Sequence, residues 1–305
     1  MDKKGINYGG MAVIEGVTMR GPRITSMAVR KSDGTIEMYT EPAGRQAEKF
    51  PVLKWPLLRG VYALIESLIT GMRMLNKSAN LAMDEEEEEI SSWELLLTGF
   101  FAFLLAVLLF IILPATIVHF CQNFMGGILL QNVLEGIIRI IFFLLYVYLI
   151  SFVEDIRRVL MYHGAEHKVI FTHEAGEELT IDNARRHSTL HPRCGTSFLL
   201  IVMVIAVLVF TLLGEGTLFY RIWSRLAVFP IIAGLGYEFI KFSGKYYRHN
   251  WARFLILPGL LLQKLTTREP DDSQLEVAIT ALKAVLENSE EASPGGKGLV
   301  AISTI

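Results

Sequence analysis

Hydrophobic and polar positions along the chain separate into long blocks instead of alternating at one period. Crossing a bilayer takes about 20 mostly apolar residues, and four stretches qualify. Leu95 to Val118 carries no charge. Leu134 to Val153 is apolar once Glu135 and Arg139 are assigned to its outer end, where at i,i+4 they pair or reach the interface. Thr196 to Leu213 is shorter but uncharged. Ile222 to Phe242 is the weakest, with Arg225, Glu238 and Lys241 inside it.

Between these blocks the period changes. Ile24 to Arg30 and Thr35 to Thr40 are β-prone runs around Ser32-Asp33-Gly34, a hairpin signal. Pro56 to Asn80 carries an apolar stripe at Leu57, Val61, Leu64, Ile65, Leu68, Met72 and Leu75, which predicts a helix. It either lies on the membrane surface or packs against the protein's own cytoplasmic core, since Arg59 and Glu66 argue against a fifth span. Asp84 to Glu89 reads as a solvated acidic linker. Trp251 to Gln263 is expected to break at Pro258-Gly259 and to hug the interface. Pro270-Asp271-Asp272-Ser273 caps a helix to about Glu287 with Leu275, Ile279, Leu282 and Val285 on one face, and Glu290 to Ile305 reads as a frayed tail.

The expected fold class is therefore mainly α: a polytopic helical membrane protein of about four transmembrane helices. A small α+β cytoplasmic domain containing a β-hairpin goes with it. The boundaries are a cytoplasmic N-terminal region 1–92, two helices over 93–153, a cytoplasmic loop 154–195, two helices over 196–243, and a cytoplasmic C-terminal region 244–305.

Composition agrees: 52% of residues are hydrophobic and the mean hydropathy is +0.41, too apolar for an ordinary soluble domain. A formal net charge of -2 gives no general attraction to nucleic acid, and no such partner is expected. The placement of charge is more telling. His119 to Val133 has no Lys or Arg, whereas Glu154 to Gly195 holds Arg157, Arg158, Lys168, Arg185, Arg186 and Arg193. The positive-inside rule puts that loop, and with four spans both termini, in the cytoplasm of a cell whose inner membrane holds the chain. Met1 to Lys4 leads into no apolar run, so no cleavable signal is expected. Cys121 and Cys194 fall on opposite sides of the membrane, and no disulfide is expected between them.

Chemistry concentrates at His163-Gly164-Ala165-Glu166-His167, an H-x-x-E-H sequence just past the second apolar run. Imidazoles four residues apart share a helix face and suit a divalent metal, zinc first. The competing reading makes them polar residues of an interfacial helix. A metal needs a third ligand, and Glu174, seven residues and about 10 Å along the axis past His167, is too far to share one with His163. His191 and Cys194 are the better candidates, with His173 and His187 weaker. Glu166 is spare as a general base. Arg185, Arg186 and Arg193 could hold a phosphate or lipid headgroup, although the positive-inside bias explains them without a substrate. Gly9 to Pro22 has four glycines with Glu15 and Arg20 among apolar neighbours. Those charges either point into a site or, more simply, belong to a tight turn leading into the hairpin. Glu238 either pairs with Lys241 at i+3 or faces the cytoplasmic site.

Five blocks together resemble the bacterial YqhQ-like family: GGMAVIEGVTMRGP at 9–22, YHGAEHKVI at 162–170, LHPRCGTSF at 190–198, GLGYEFIKF at 234–242 and PGLLLQKLTTREPDD at 258–272. The family block usually has glutamine where this chain has Met11, so a ligand contact by that amide would be lost here. The resemblance implies a multi-pass inner-membrane protein and no known reaction. Its predicted metal dependence rests on the same histidines and adds nothing independent. The leading expectation is a metal-dependent, hydrolytic membrane enzyme acting on a membrane-protein segment or a lipid-linked phosphate. The rivals are a non-enzymatic membrane scaffold or assembly factor and, last, a transporter, for which Glu238 alone qualifies as an intramembrane polar residue.

Overall fold

The computed structural model describes residues 8–43, 55–83, 91–124, 126–213, 216–245 and 250–290. The acidic run at 84–89 and the tail beyond 290 lie outside the described residues. Four antiparallel strands come first: β1 (Gly9–Val13), β2 (Gly16–Arg20), β3 (Ile24–Arg30) and β4 (Ile36–Pro42), paired in chain order. The β3–β4 hairpin forms where Asp33-Gly34 predicts it. Gly34 turns at φ 86°, and the Asp33 carboxylate accepts from the Thr35 backbone and hydroxyl at 2.8 and 2.6 Å. The segment at 9–22 is not a turn leading into that hairpin but a hairpin itself, β1–β2, closed by Ile14-Glu15. Gly10 and Gly16 are needed for strand packing: a Cβ on them would stand 2.6 Å from the Thr18 and 2.3 Å from the Ala28 carbonyl oxygen.

The sheet is covered on both faces. Val17, Met19 and Ala28 pack against Tyr162, Ala165 and Val169 of α5 (Glu154–Ala175) and against Leu275, Ala278 and Leu282 of α10 (Asp272–Glu290). Val13, Met27 and Val29 pack on Met74 of α1 (Leu58–Ala82) from the other side. Alternation along each strand sends neighbouring residues to opposite faces, which is why one short sheet supports two cores.

The helix α1 packs on the protein itself at both ends. Near its C-terminus the Ser78 hydroxyl accepts the Ile14 backbone N–H at 3.1 Å. Near its start, Gly60 meets Gly234 of α8 (Leu218–Lys245) so closely that a Cβ on Gly60 would lie 2.9 Å from the Gly234 Cα. The Arg59 guanidinium donates to Glu238 at 2.5 Å through Nε. Glu238 is thus bound to α1, and the Lys241 side chain falls outside the described residues.

Among the described residues, three helices are long and apolar enough to cross a membrane: Leu96–Phe124, Ile128–Ile150 and Leu218–Phe239. The first runs through α2 (Ser92–Val107), a π-helical turn (Leu108–Ile112), α3 (Leu113–Cys121) and a last 3₁₀ turn. The second is α4 (Ile128–Ile150). The fourth apolar run forms the shorter helix α7 (Thr196–Thr211). After α4 the chain does not continue as one helix; a turn at Ser151–Val153 separates it from α5, and Arg268 donates to the Ser151 hydroxyl at 3.2 Å. The last apolar segment, α9 (Asn250–Thr266), runs unbroken through Pro258. Packing along α7 and α8 holds it helical despite the lost N–H.

Glu238 is not the sole polar group among the apolar helices. Glu135 is 1% exposed and binds Arg139 at 2.9 Å and Arg225 of α8 at 3.0 Å, with Arg221 at 3.8 Å. The pairing of Glu135 with Arg139 follows from i,i+4 spacing, but Arg221 and Arg225 join from α8, which no local pattern reveals. The cluster serves exposed backbone. Pro114 has no N–H to offer the Phe110 carbonyl, and Arg139 Nε donates to that oxygen at 2.6 Å. Asn132 donates to the Phe210 carbonyl at the end of α7 at 2.9 Å and accepts from Arg225 at 3.0 Å. In hydrocarbon each such carbonyl needs a donor. Glu135→Leu would leave three buried guanidiniums without their carboxylate, a loss of about 3–5 kcal/mol. A clearly lower thermal midpoint in detergent is expected; an unchanged midpoint would show that the cluster does not hold the helices.

Candidate metal centre

Helix α5 is positioned before any chemistry is considered. Arg158 donates to Glu15 through Nε at 2.5 Å, and the Tyr162 hydroxyl reaches the same carboxylate at 3.3 Å. Glu15 therefore ties the β1–β2 turn to α5 and does not line the cleft. Arg20 likewise pairs with Glu66 of α1 at 3.2 Å. On the far side Gly164 lets the chain after α9 press in: a Cβ there would stand 2.0 Å from the Arg268 carbonyl oxygen, while the Arg268 N–H donates to the Leu160 carbonyl at 2.9 Å.

This clamp places the histidines. His163 Nδ1 lies 2.7 Å from the Thr266 carbonyl oxygen, and His167 Nδ1 lies 2.5 Å from that of Thr189. A carbonyl only accepts, so each Nδ1 carries the proton and each Nε2 presents a lone pair. The rings sit 4.5 Å apart. His163 Nε2 is 3.2 Å from Cys194 Sγ, and His167 Nε2 is buried without a hydrogen-bond partner. Among the described residues, one donor atom each from His163, His167 and Cys194 falls within 4.8 Å of the others. An imidazole whose second nitrogen is tied to a carbonyl is the usual state of a metal ligand.

The surroundings fix these three side chains. Lys168, 3% exposed, donates to the carbonyls of Arg185 and His187 and pairs with Glu269, all within 3 Å, which pins the loop carrying Thr189. Gln263 brackets His191, accepting its N–H at 2.7 Å and donating to its carbonyl at 2.8 Å, which sets the turn leading to Cys194. The sequence pattern singled out neither residue: both are ordinary polar side chains whose partners are distant backbone atoms.

The other candidates sort by position. His191 stands next to the group, its ring centre 5.6 Å from that of His167, but its Nδ1 accepts the Arg193 N–H at 3.3 Å and it is not one of the three converging donors. Burial holds its imidazole down to about 4, so it is neutral at neutral pH. His173 packs edge-on against Tyr8, and His187 pairs with Glu177 at 3.1 Å. The three arginines do not form one cradle. Arg193 lines the cleft but is paired with Glu174, Arg185 is held by Asp182 and Asp272, and Arg186 is exposed.

A cleft of about 370 Å³ opens at the group, walled by Gly9 to Ala12 of β1 and by Val159, Leu160, His163 and His167 of α5, with Glu166 on its lining. The Glu166 carboxylate lies over Gly10, where a Cβ would stand 3.1 Å from its Cδ. Burial pushes this carboxyl above its usual range, against the pull of His163, His191 and the Gly10 backbone N–H. Glycine at position 10 is required first by the paired strand, where a Cβ would stand 2.6 Å from the Thr18 carbonyl oxygen, and the same gap leaves room for the Glu166 carboxylate. Burial also pushes the His167 imidazole down, against the facing Cys194 sulfur.

A helical bundle carrying a small sheet and a His-His-Cys group at their junction is the class of structure described so far. The chain matches the family model described as "Protein of unknown function (DUF1385)" over residues 55–288, and it belongs to that family. It is 33% identical over 292 residues to a protein of Bacillus subtilis named "Uncharacterized protein YqhQ", with 92% of each chain covered. No solved structure matches it.

Gly164→Ala tests the clamp that positions the site. The new methyl has no room beside the Arg268 carbonyl, and overpacking of this kind costs about 1–3 kcal/mol. A lower thermal midpoint is expected, whereas Gly9→Ala, with nothing within 4 Å, should leave the midpoint nearly unchanged.

Proposed function

We propose that this chain is a multi-pass membrane protein with a zinc-dependent hydrolytic site at the cytoplasmic membrane face. The observation that carries the reading is the convergence of His163 Nε2, His167 Nε2 and Cys194 Sγ while both Nδ1 atoms are taken by backbone carbonyls. Two imidazoles and a thiolate suit zinc and do not suit magnesium or calcium, which take oxygen donors. Zinc held by three protein ligands with a fourth position open would supply Lewis acidity there. Glu166 is the group to take a proton from water and return it to a leaving atom, since it lies against the cleft and burial raises its proton affinity.

The membrane part of the reading has its own support. The first span's outward side chains are large and apolar, with Phe100, Phe101 and Phe103 each more than half exposed, a surface that needs lipid. The helix α7 has 16 residues, about 24 Å, a little short of the hydrocarbon thickness. Asn132, itself held by Arg225, takes the carbonyls at its far end, which suits a fourth crossing. The Arg-rich loop then lies in the cytoplasm with both termini.

The reading predicts roughly one zinc per chain when the detergent-purified protein is analysed by mass spectrometry of its metals. His163→Ala, His167→Ala and Cys194→Ser should each remove most of it, and Glu166→Gln should keep it. Lys168→Met, which frees the loop behind His167, should weaken zinc by about 10–100-fold. Protein with no bound zinc under metal-replete expression would end the proposal.

A further inference from the structure

Resting on the zinc reading, we infer that the substrate is an extended polypeptide segment that adds to the open edge of β1 alongside the His163–His167–Cys194 group. In the strand order β1-β2-β3-β4, β1 is an edge, and among the described residues no strand pairs on its outer side. Edge strands are ordinarily blunted by charge, proline or a covering element. The sequence Gly9-Gly10-Met11-Ala12-Val13 has neither charge nor proline. Gly9 and Gly10 are exposed, and Gly9 has nothing within 4 Å of where a Cβ would stand. This edge, exposed at Gly9 and Gly10, half-buried at Met11 and Ala12 and with its Gly10 N–H given to Glu166, is also one wall of the cleft that holds His163, Glu166, His167 and Cys194.

The strand's own geometry says which backbone groups are available. Neighbouring residues of an antiparallel strand alternate between bonding inward to the partner and pointing outward. The Gly10 N–H reaches Glu166, so Gly10 is an outward residue, and by alternation Ala12 is the next. The N–H and C=O of Ala12 and the C=O of Gly10 then lie along the cleft, a short ladder for an incoming strand. Such pairing reads main chain, so a peptide laid there would bring an amide carbonyl past Glu166. Hydrolysis would bond a water oxygen to that carbonyl carbon and break the C–N bond, with Glu166 passing a water proton to the departing nitrogen.

Two further observations favour polypeptide over a lipid-linked phosphate. Arg193, the one arginine of the three on the cleft, is already paired with Glu174. Val159, Leu160 and Ile170 put an apolar stretch on the wall beside the polar His191 and Thr196, a surface that suits the side chains of a membrane-protein segment.

The test uses the full chain, purified in detergent with zinc, and three probes. These are fluorescent peptides that are apolar and free of proline, the same peptides N-methylated along the backbone, and phosphatidylglycerol in mixed micelles. Binding is read by anisotropy and turnover by mass spectrometry. The inference expects the plain peptides to bind and be cut, and N-methylation to weaken binding by about tenfold or more as strand hydrogen bonds are lost. Ala12→Pro, which removes an outward N–H, should weaken binding similarly while zinc content stays at the wild-type level. Equal binding of the N-methylated peptides, no peptide binding, or turnover of phosphatidylglycerol in place of peptide would each overturn it. Zinc content is measured in parallel, so the two ideas fail separately. Peptides that bind a zinc-free protein with the same N-methyl sensitivity would sustain the β1 edge and sink the metal site. Zinc with no peptide binding would do the reverse.

Discussion

Two backbone carbonyls decide what the H-x-x-E-H sequence becomes in this fold. Those of Thr266 and Thr189 hold the Nδ1 atoms of His163 and His167, and so aim both Nε2 lone pairs at Cys194. Neither carbonyl belongs to α5. One comes from the end of α9 and the other from the loop after α6 (Ile181–Arg186), and Cys194 comes from the turn entering α7. Three segments that are distant in sequence must therefore stop at the same height on α5. Arg268, Lys168 and Gln263 perform that alignment, each by reaching backbone atoms or a carboxylate on another segment.

The parts of this arrangement that were legible in the sequence are those with a local cause. Residues at i,i+4 share a helix face, so His163 and His167 had to point the same way, and Glu135 had to meet Arg139. Asp33-Gly34 encodes its own turn. The apolar blocks of Leu96–Phe124 and Ile128–Ile150 are long enough to announce themselves. What could not be read depends on distant backbone. Choosing between His191 and Cys194 as third donor needed the turn that Gln263 sets, because both lie within four residues of each other. Glu15, Arg20 and Glu238 looked like site residues because isolated charges among apolar neighbours always do. Their partners, Arg158, Glu66 and Arg59, lie 143, 46 and 179 positions away. The β1–β2 hairpin was hidden because Gly10 and Gly16, which read as a turn, are there to admit the backbone of the neighbouring strands.

Asn132, which binds Arg225 of the buried arginine cluster, and Cys194 of the histidine group sit at opposite ends of α7. Glu135 and Arg139 lie on α4, whose C-terminal end leads through Ser151–Val153 into α5, while Asn132 holds the carbonyl end of α7, whose other end carries Cys194. A helix short enough to need its last carbonyls supplied from a neighbour cannot slide without losing them. Anchoring the far end of α7 thus fixes how far Cys194 projects at the near end. The costly buried charges are in this view a vernier for the site, and neutral groups meet part of the excess positive charge: Arg139 faces the Phe110 carbonyl, Arg139 and Arg225 lie over the Phe210 ring, and Arg221 donates to the Gln131 side-chain oxygen.

The turn at Ser151–Val153 completes the logic. Had α4 and α5 formed one straight helix, α5 would have left the bundle along the axis of α4, away from the sheet. The break lets α5 lie over β1 and β2, and Arg268 holds both sides of it, through the Ser151 hydroxyl and through the Leu160 carbonyl. A single bend therefore brings a strand edge, a carboxylate and a His-His-Cys group to one cleft where the apolar helices end. Each of these alone has an ordinary structural explanation. Their meeting on one cleft wall is the feature that their separate explanations do not supply.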